Sequence, residues 1–450
     1  MKPTNKKETK YNASYINKGI LYEMIYDEEA QKTSFISLED NDLVETDEID
    51  FEAYKIAPFS PSYDLIKHKA ILLPSLPIPY GSESELISEI QQFIHTYLEV
   101  SPFFEKIATH YVLFTWMYDK FNELPYLRAI ADFGNGKSRF LKTIGSLCYR
   151  PIITMGATTI APIFRILNQF RGTLILDEAD IRYSDTNNEM VKILNVGFQS
   201  GTPIFRCSGD DHDVQAFDVF GPKIVATRQK FEDQALESRF LVEKMDGSLN
   251  RTDIPLSLDT TFEQKALEIR NKCLLWRLEN YTKIFNAVQI NDSSIEPRLR
   301  QILGPLCGVI QDQEIQKELI VFIKKYNIEM REDRGMSDEG QILDVLISIA
   351  NQTKDDISIN ELTGAFNQKL KMMNLREVSY KKIGMTVQSN FHMKKKRTRT
   401  GYVILRESYN EQIERLKMQY DLQSEHVNVV NIPEEDPFVK EMKELGYHNL

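Results

Sequence analysis

Eight consecutive residues, Ala131-Asp132-Phe133-Gly134-Asn135-Gly136-Lys137-Ser138, carry the residue types that a phosphate cradle needs. They follow an apolar run ending at Ile130 and precede Phe140-Leu141-Lys142-Thr143-Ile144, whose composition predicts a helix. A strand feeding a Gly-rich turn and a helix N-terminus points backbone N–H groups inward. The helix dipole adds partial positive charge, and a lysine reaches the outer phosphates. Gly134 and Gly136 supply the turn, Lys137 the ammonium, and Ser138 a hydroxyl for Mg²⁺. Ala131 stands where the first glycine is usual, and its small side chain still permits close approach. Downstream, Gly172-Thr173-Leu174-Ile175-Leu176-Asp177-Glu178 is an apolar run ending in two carboxylates, as expected of a buried parallel strand. Ligands bind at the carboxyl ends of such strands. There Asp177 suits a Mg²⁺ shell and Glu178 can polarise an attacking water. Taken singly, each run has a plain reading, as a surface turn or as a strand leaving into a polar loop. Together they predict an ATPase-type nucleotide site. Asp132, Phe133, Gly134, Asn135, Gly136, Lys137 and Ser138 would bind ATP, and Ser138 with Asp177 would hold the metal.

The whole chain is consistent with a multidomain enzyme. Its 450 residues suffice for about three domains. A charged content of 27% and a hydrophobic content of 42% are ordinary for a soluble protein. A net charge of −11 argues against a surface coated in nucleic acid, but a local basic patch remains compatible with it. Cys148, Cys207, Cys273 and Cys307 form no Cys-x-x-Cys pair, and the seven histidines show no metal-ligand spacing. This pattern predicts a reduced, cytoplasmic protein without structural zinc. The N-terminus has no signal-peptide core, and no apolar stretch approaches membrane-spanning length.

Four parts follow along the chain. Residues 1–95 hold short alternating runs such as Gly19 to Tyr26, an acidic stretch from Glu39 to Glu52 that reads as a solvated loop, and the Pro-rich Leu72 to Pro79. These predict a small β-containing domain followed by a linker-like extended piece. From Glu83 to Phe121 the apolar spacing is helical. The core then alternates strand and helix: Pro151 to Thr154, Ile160 to Phe170, the carboxylate strand, Met190 to Gly197, and Lys223 to Thr227. Such alternation predicts a parallel sheet with helices on both faces. Pro203 to Arg206 and Val214 to Phe217 flank a polar Ser208 to His212 tip, which predicts a β-hairpin.

The order of these motifs resembles the AAA+ core of MCM-like replicative helicases, in particular those encoded by staphylococcal cassette-chromosome elements. The matching residues are Asp132 to Ser138, Leu176-Asp177-Glu178, Ala226-Thr227 and Ser238-Arg239-Phe240, with Glu296 to Leu303 similar to a lid helix carrying a second sensor arginine. The resemblance covers about residues 120 to 310, with an extension to 406. It implies an α/β fold, a P-loop ATPase core with an α-helical lid; the runs on either side add a small N-terminal domain and, from three helices and a Gly-turned ribbon, a C-terminal winged helix. The corresponding domains are 1–95, 96–250 (ATPase), 251–330 (lid), 331–406 (winged helix) and a tail at 407–450. It implies catalytic roles for Glu178, for Thr227 as first sensor, for Arg239 as an arginine finger acting on a neighbouring subunit, and for Arg298 or Arg300 as second sensor. In isolation, Arg239 is more readily a surface ion pair with Glu237 or Glu232, and the motif order is what favours the finger. A finger acting in trans requires a homo-oligomer, and the resemblance implies a hexameric ring. It also points the hairpin at DNA. The tip carries Asp210, Asp211 and His212 instead of Lys or Arg, so Arg206 on its flank is the DNA candidate, with a plain packing hairpin as the alternative. The interval from Gly156 to Gly172 leaves little room for the helix-two insertion of MCM cores.

The C-terminal region contributes separately. Gln341 to Ala350, Ile359 to Leu370 and Ser379 to Met393 read as three helices, and Lys394 to Leu405 as a basic β-ribbon with Gly401 at its turn. Between Ser379 and Arg406 there are eight Lys or Arg and no Asp or Glu. Lys381, Lys382, Lys394, Lys395, Lys396, Arg397 and Arg399 are therefore the DNA-binding candidates, with a solvated loop or a protein-contact domain as the alternative. A helix is expected from Tyr409 to Tyr420, followed by a loosely ordered tail. Two functions use this ATP site equally. One is a ring helicase that unwinds or translocates on DNA during replication of a mobile element, with single- and double-stranded DNA and initiator or primase-type proteins as partners. The other is an initiator, loader or transposition regulator that remodels a protein–DNA complex without unwinding. A non-hydrolysing, nucleotide-gated DNA binder fits less well, because binding alone does not require Glu178.

Overall fold

Alternation of apolar and polar residues builds the N-terminal part from strands β1 (Glu8–Tyr11), β2 (Ser14–Asn17), β3 (Ile20–Asp27), β4 (Lys32–Glu39), β5 (Asp42–Thr46), β6 (Ile49–Asp50) and β7 (Tyr54–Ala57). The structure is a computed structural model that describes residues 7–132, 134–154, 158–177, 185–208, 213–231, 233–245, 251–283, 285–310, 313–420 and 422. Strands β2-β3-β4-β5 form an antiparallel meander, and β1-β7-β6 a second small sheet. Lys18-Gly19 and Asp40-Asn41 turn two of the hairpins with both residues at positive φ, the geometry that matches strand twist. The acidic stretch forms edge strand β5 and the short β6 instead of a loop; an exposed edge tolerates charge and is protected by it. After the one-turn helix α1 (Asp64–Lys67), the Pro-rich segment is extended as expected, yet it is no free linker. Leu72 N–H donates to Pro151 O at 3.1 Å, and Ser75 N–H donates to the Asn271 side chain at 2.9 Å.

Helix α2 (Glu83–Tyr97) starts with a reciprocal Ser82–Glu85 capping box, and α3 (Pro102–Thr115) with Ser101 as its cap. The core then runs β8 (Tyr126–Ala131), α4 (Lys137–Gly145), β9 (Ile152–Thr154), α5 (Ile160–Phe170), β10 (Leu174–Leu176) and α6 (Asp185–Val196). The hairpin β11 (Ile204–Ser208) and β12 (Asp213–Phe217) follows, then β13 (Lys223–Thr227), α7 (Gln234–Glu237) and β14 (Phe240–Met245). The five strands β14-β8-β13-β10-β9 form one sheet in which every pairing is parallel. This is a mixed α/β fold, its sheet flanked by helices and compatible with a P-loop core. Every residue of β13 is buried, the apolar Ile224-Val225-Ala226 and the polar Lys223 and Thr227 at its ends alike. Helices α8 (Thr260–Asn280), α9 (Pro297–Val309) and α10 (Gln313–Met336) follow. No helix among the described residues is long and apolar enough to cross a membrane.

A buried ionic cluster joins three of these parts. Glu23 of β3 is 1% exposed and accepts from Arg150, from Arg277 Nε of α8 at 2.8 Å, and from the Tyr149 hydroxyl at 3.0 Å. Arg277 also grips Asp119 through two hydrogen bonds of 2.9 and 2.7 Å.

The chain divides into two compact units, residues 1–324 and 325–450. The second has its own core of Ile342, Leu346, Ile357, Leu362, Phe366, Ile383, Val387 and Ile404, among others. It contains α11 (Asp338–Gln352), β15 (Ile357–Ser358), α12 (Ile359–Met372), α13 (Tyr380–Ser389), β16 (Lys395–Thr398), β17 (Gly401–Ile404) and α14 (Arg406–Tyr420). The third helix ends at Ser389, earlier than the sequence suggests, and β15 adds a strand to the ribbon in the order β15-β17-β16.

Glu23→Gln leaves two buried guanidinium groups undercompensated and is expected to cost about 3–5 kcal/mol, read by urea unfolding through the buried Trp116 and Trp276. A pH effect is expected from His110, which is buried in α3 with Nδ1–H donating to Lys106 O at 2.7 Å. Burial lowers its pKa from 6.5 to about 4. The neutral form is the folded one, so its contribution is complete above pH 6.5 and is lost as pH falls towards 4. The loss should be about 3 kcal/mol, and His110→Gln should flatten the stability profile across that window.

Candidate nucleotide-binding site

Strand β8 delivers the loop, and Gly134 and Gly136 take φ of +83° and +82°, a backbone conformation that L side chains rarely adopt. Helix α4 begins at Lys137 with Gly136 as its cap residue and no side-chain cap. Its first-turn N–H groups therefore gain no partner from a capping side chain. Lys137 Nζ donates to Ala131 O at 2.7 Å and to Asp132 O at 3.2 Å, which draws the ammonium over the loop. Asn135 Nδ2 approaches Met245 O at 3.5 Å, so the end of β14 backs the turn. Phe133 lies outside the described residues.

Ser138 Oγ donates to Asp177 Oδ2 at 3.1 Å, bringing together the two oxygens expected to hold Mg²⁺. The donor set fits that ion, which takes one or two protein oxygens and completes its shell with phosphate and water. Among the described residues no group of three or more His, Cys, Asp or Glu could form a metal cage of its own. Glu178 lies outside the described residues. Strand β13 separates β8 from β10, with Thr227 paired to Ile130 and Val225 to Leu176. Thr227 thus stands at the carboxyl end of the sheet between the loop and the Asp177 strand. Its hydroxyl is buried, 2% exposed, without a hydrogen-bond partner among the described residues. Leaving such a group unpaired costs about 1–3 kcal/mol, so a ligand oxygen there would be favoured.

Arg239 is at the other end of the sheet. The β14–β8 register runs from Phe240 opposite Tyr126 to Met245 opposite Ala131. At about 3.3 Å per residue, the two ends are roughly 17 Å apart. Arg239 donates to Asn195 Oδ1 at 2.5 Å and lies over the Phe198 ring at 4.4 Å. Of the two second-sensor candidates, it is Arg298 that stacks on this same ring, at 4.5 Å. Burial, followed by the charge of Arg298, lowers the pKa of Arg239. Neither guanidinium is ion-paired with a described carboxylate; Arg298 bonds Gln301, which bonds Glu123 at 2.7 Å. Glu237 does not take Arg239 as a partner. It forms a two-pronged pair with the fully buried Arg128, one bond at 2.7 Å, while Glu232 lies outside the described residues.

Sequence reasoning missed Phe198, Arg128 and Lys223. Lys223 is buried at the start of β13, and its Nζ donates to Gly197, Val219 and Gly221 carbonyls at 3.1, 3.0 and 2.8 Å. Burial lowers its pKa to about 7. It fastens the exit of α6, just before Phe198, to the chain that leaves the hairpin. A polar residue opening an apolar strand was the available signal.

The predicted hairpin forms, with Arg206 opposite Gln215, while its tip at Gly209 to His212 is outside the described residues. Arg206 pairs with Glu189 at 2.8 Å and lies over Phe164. In the second unit, Lys382 pairs with Asp338 at 2.7 Å and Lys395 Nζ donates to Gly384 O at 2.5 Å. Lys381, Lys394, Lys396, Arg397 and Arg399 are exposed.

Gly136→Ala puts a Cβ at φ +82° and 3.1 Å from Met245 Cε. It is expected to weaken binding of a fluorescent ATP analogue at least tenfold while shifting unfolding by only about 1–2 kcal/mol.

No protein-family model matches this chain, and no curated protein matches it either. Among solved structures, the C-terminal region of NrS-1 aligns with a TM-score of 0.34 and 12% identity, over 85% of this chain and 95% of that one. The helicase of JCV, bound to a substituted N-phenylacetamide, aligns with a TM-score of 0.26 and 12% identity, over 55% of this chain and 62% of its own. The ORC of Drosophila bound to DNA aligns with a TM-score of 0.17 and 11% identity, over 79% and 99%. Likenesses this weak establish neither the fold nor an activity.

Proposed function

We propose that this chain is an ATP-dependent, MCM-like DNA helicase of a mobile genetic element, which works as a ring and hydrolyses ATP between neighbouring subunits. The observation that carries this reading is the separation of Arg239 and Arg298 from Lys137, Ser138 and Asp177 by the length of the sheet. Two cations sharing one ring, without a described carboxylate paired to either, suit an anionic group that their own subunit cannot bring to them. A second copy can, and a head-to-tail contact of this kind closes into a ring.

When bound, ATP and Mg²⁺ supply the transferable phosphoryl group and neutralise part of its charge. This chain's part is to cradle the phosphates with the loop at Gly134 and Gly136, to anchor them with Lys137, and to hold the metal with Ser138 and Asp177. Glu178 orients the water, Thr227 hydrogen-bonds it or the outer phosphate, and Arg239 with Arg298 of the adjacent subunit stabilises the developing charge. In this reading residues 251–330 act as a lid, and 331–406 as a winged helix whose α13 and β16–β17 ribbon meet DNA through Lys381, Lys382, Lys394 to Lys396, Arg397 and Arg399.

One observation favours a second reading, a replication initiator or loader that remodels without unwinding. Arg206, the cation of the hairpin, is engaged by Glu189, which leaves it less able to grip a phosphate backbone.

Strand separation on a forked duplex, with Lys137→Ala as the blank, distinguishes the two. Unwinding by the wild type supports the helicase; DNA-stimulated hydrolysis without unwinding supports the remodeller. Arg239→Ala is expected to retain nucleotide affinity while hydrolysis drops by on the order of 10³-fold. Mixed into wild-type protein, it should depress activity more than its share of subunits, and a strictly proportional loss would argue against catalysis across a boundary.

A further inference from the structure

Three guanidinium groups of the first unit meet a carboxylate directly: Arg128 with Glu237, Arg150 with Glu23 and Arg277 with Asp119. Arg239 and Arg298 are held differently. Arg239 Nη1 donates to Asn195 Oδ1 at 2.5 Å, and the other end of that carboxamide, Asn195 Nδ2, donates to Asp233 Oδ2 at 2.8 Å. Arg298 Nη1 donates to Gln301 Oε1 at 2.5 Å, and Gln301 Nε2 donates to Glu123 Oε1 at 2.7 Å. Each arginine is thus one carboxamide removed from a carboxylate, by the same order of atoms. Yet one path runs from α6 to the residue before α7, and the other from α9 to the segment before β8. Both carboxylates belong to anchored segments. Asp233 Oδ1 accepts from the N–H groups of Ala235 and Leu236 at 2.9 and 3.2 Å, and Glu123 sits opposite Gln199 in an antiparallel bridge next to Phe198.

The two ways of holding a guanidinium differ in what they leave open. A carboxylate in contact takes two N–H groups and compensates the charge. A carboxamide oxygen fixes the plane of the group and is neutral. Arg239 gives Nη1 to Asn195 and to the Ala235 carbonyl; its Nη2 has no hydrogen-bond partner among the described residues, and its Nε is buried without one. Arg298 gives only Nη1, to Gln301, among the described residues. Two cations lying over Phe198 at 4.4 and 4.5 Å also repel each other. A pair left in this state favours an anion with several oxygens.

We propose that Asn195 and Gln301 are positioning residues for the paired arginines. Each orients its guanidinium through a neutral amide that keeps the carboxylate behind it out of contact, and this leaves two cations able to take a phosphoryl group. That the phosphoryl group belongs to a nucleotide held by a neighbouring subunit rests on the proposed division of the site between subunits.

The test exchanges amide and carboxylate within each pair, in the whole chain. Asn195→Asp with Asp233→Asn, and separately Gln301→Glu with Glu123→Gln, keep the net charge, the side-chain sizes and the hydrogen bonds. An asparagine at position 233 still caps the first turn of α7. Only the carboxylate moves, into contact with the arginine, so a role in packing or hydrogen bonding alone predicts no change. Anion binding is read by mass spectrometry, as protection of Arg239 and Arg298 by pyrophosphate against phenylglyoxal, a dicarbonyl that condenses with accessible guanidinium groups. Both arginines should be protected in the wild type. Each exchanged pair should need roughly tenfold more pyrophosphate to protect its own arginine, the effect of an opposite charge brought into contact. In the same proteins, kcat for ATP hydrolysis should fall by a similar factor while nucleotide affinity is unchanged. Wild-type-like protection in either exchanged variant, or no protection by pyrophosphate in the wild type, overturns the proposal. Should one exchange fail to fold, the other decides. Weakened protection with an unaltered kcat upholds the role of the amides and instead removes the arginine pair from catalysis across a subunit boundary.

Discussion

The parallel pairing of β8 with both β13 and β14 is the constraint on which the rest of this structure depends. Parallel strands share a direction, so all their carboxyl ends gather on one edge and all their amino ends on the other. The phosphate loop, Thr227 and Asp177 follow from the first edge, and Arg239 precedes the second. Had β14 paired antiparallel to β8, Arg239 would fall beside Ala131 and a single subunit could assemble the whole constellation. The chain's own hydrogen-bond ladder thus sets Arg239 apart from the phosphate loop of the same chain.

A second constraint holds the pieces around that sheet. Glu23 belongs to the N-terminal meander, Arg150 precedes β9, and Arg277 lies on α8, far apart in sequence. Burying two guanidinium groups is unfavourable unless carboxylates meet them with good geometry, and Glu23 and Asp119 do so. Such a cluster contributes little net stability compared with an apolar replacement. Its value is specificity, because a shift of any of the three parts strands a charge in the interior. The Pro-rich segment reinforces this arrangement through Asn271 on α8 and the backbone at Pro151, which makes the N-terminal strands an integral part of the first unit.

Electrostatics divides the proposed DNA contacts differently from what charge counting suggests. Arg206 stands out in the hairpin sequence, yet Glu189, from the preceding helix, spends its charge locally. The exposed hairpin residues Phe205, Cys207 and Val214 leave that element with an apolar outer surface. The second unit is the opposite case, because among the described residues Lys382 alone of the cations between Ser379 and Arg406 is ion-paired, which leaves the field of that stretch largely uncompensated. An acidic chain that concentrates its bare cations in one place favours anions there over anywhere else on its surface.

What the sequence determined by itself was local. Glycines at Gly134 and Gly136, a lysine and a serine at a helix start, apolar runs within β10 and β13, and a Gly-turned basic ribbon all announce themselves within a few residues, because backbone conformation and strand burial are short-range properties. The acidic stretch misled, since an exposed edge strand and a solvated loop have similar composition. Only the tertiary structure decided which strands became neighbours, and with them the meeting of Ser138 with Asp177 and the roughly 17 Å between Arg239 and its own phosphate loop. It alone assigned Glu237 to Arg128, set Arg239 and Arg298 on one Phe198 ring, and closed the Glu23 cluster. These pairings join residues tens to hundreds of positions apart. Their partners are chosen by packing, and no spacing along the chain encodes that choice.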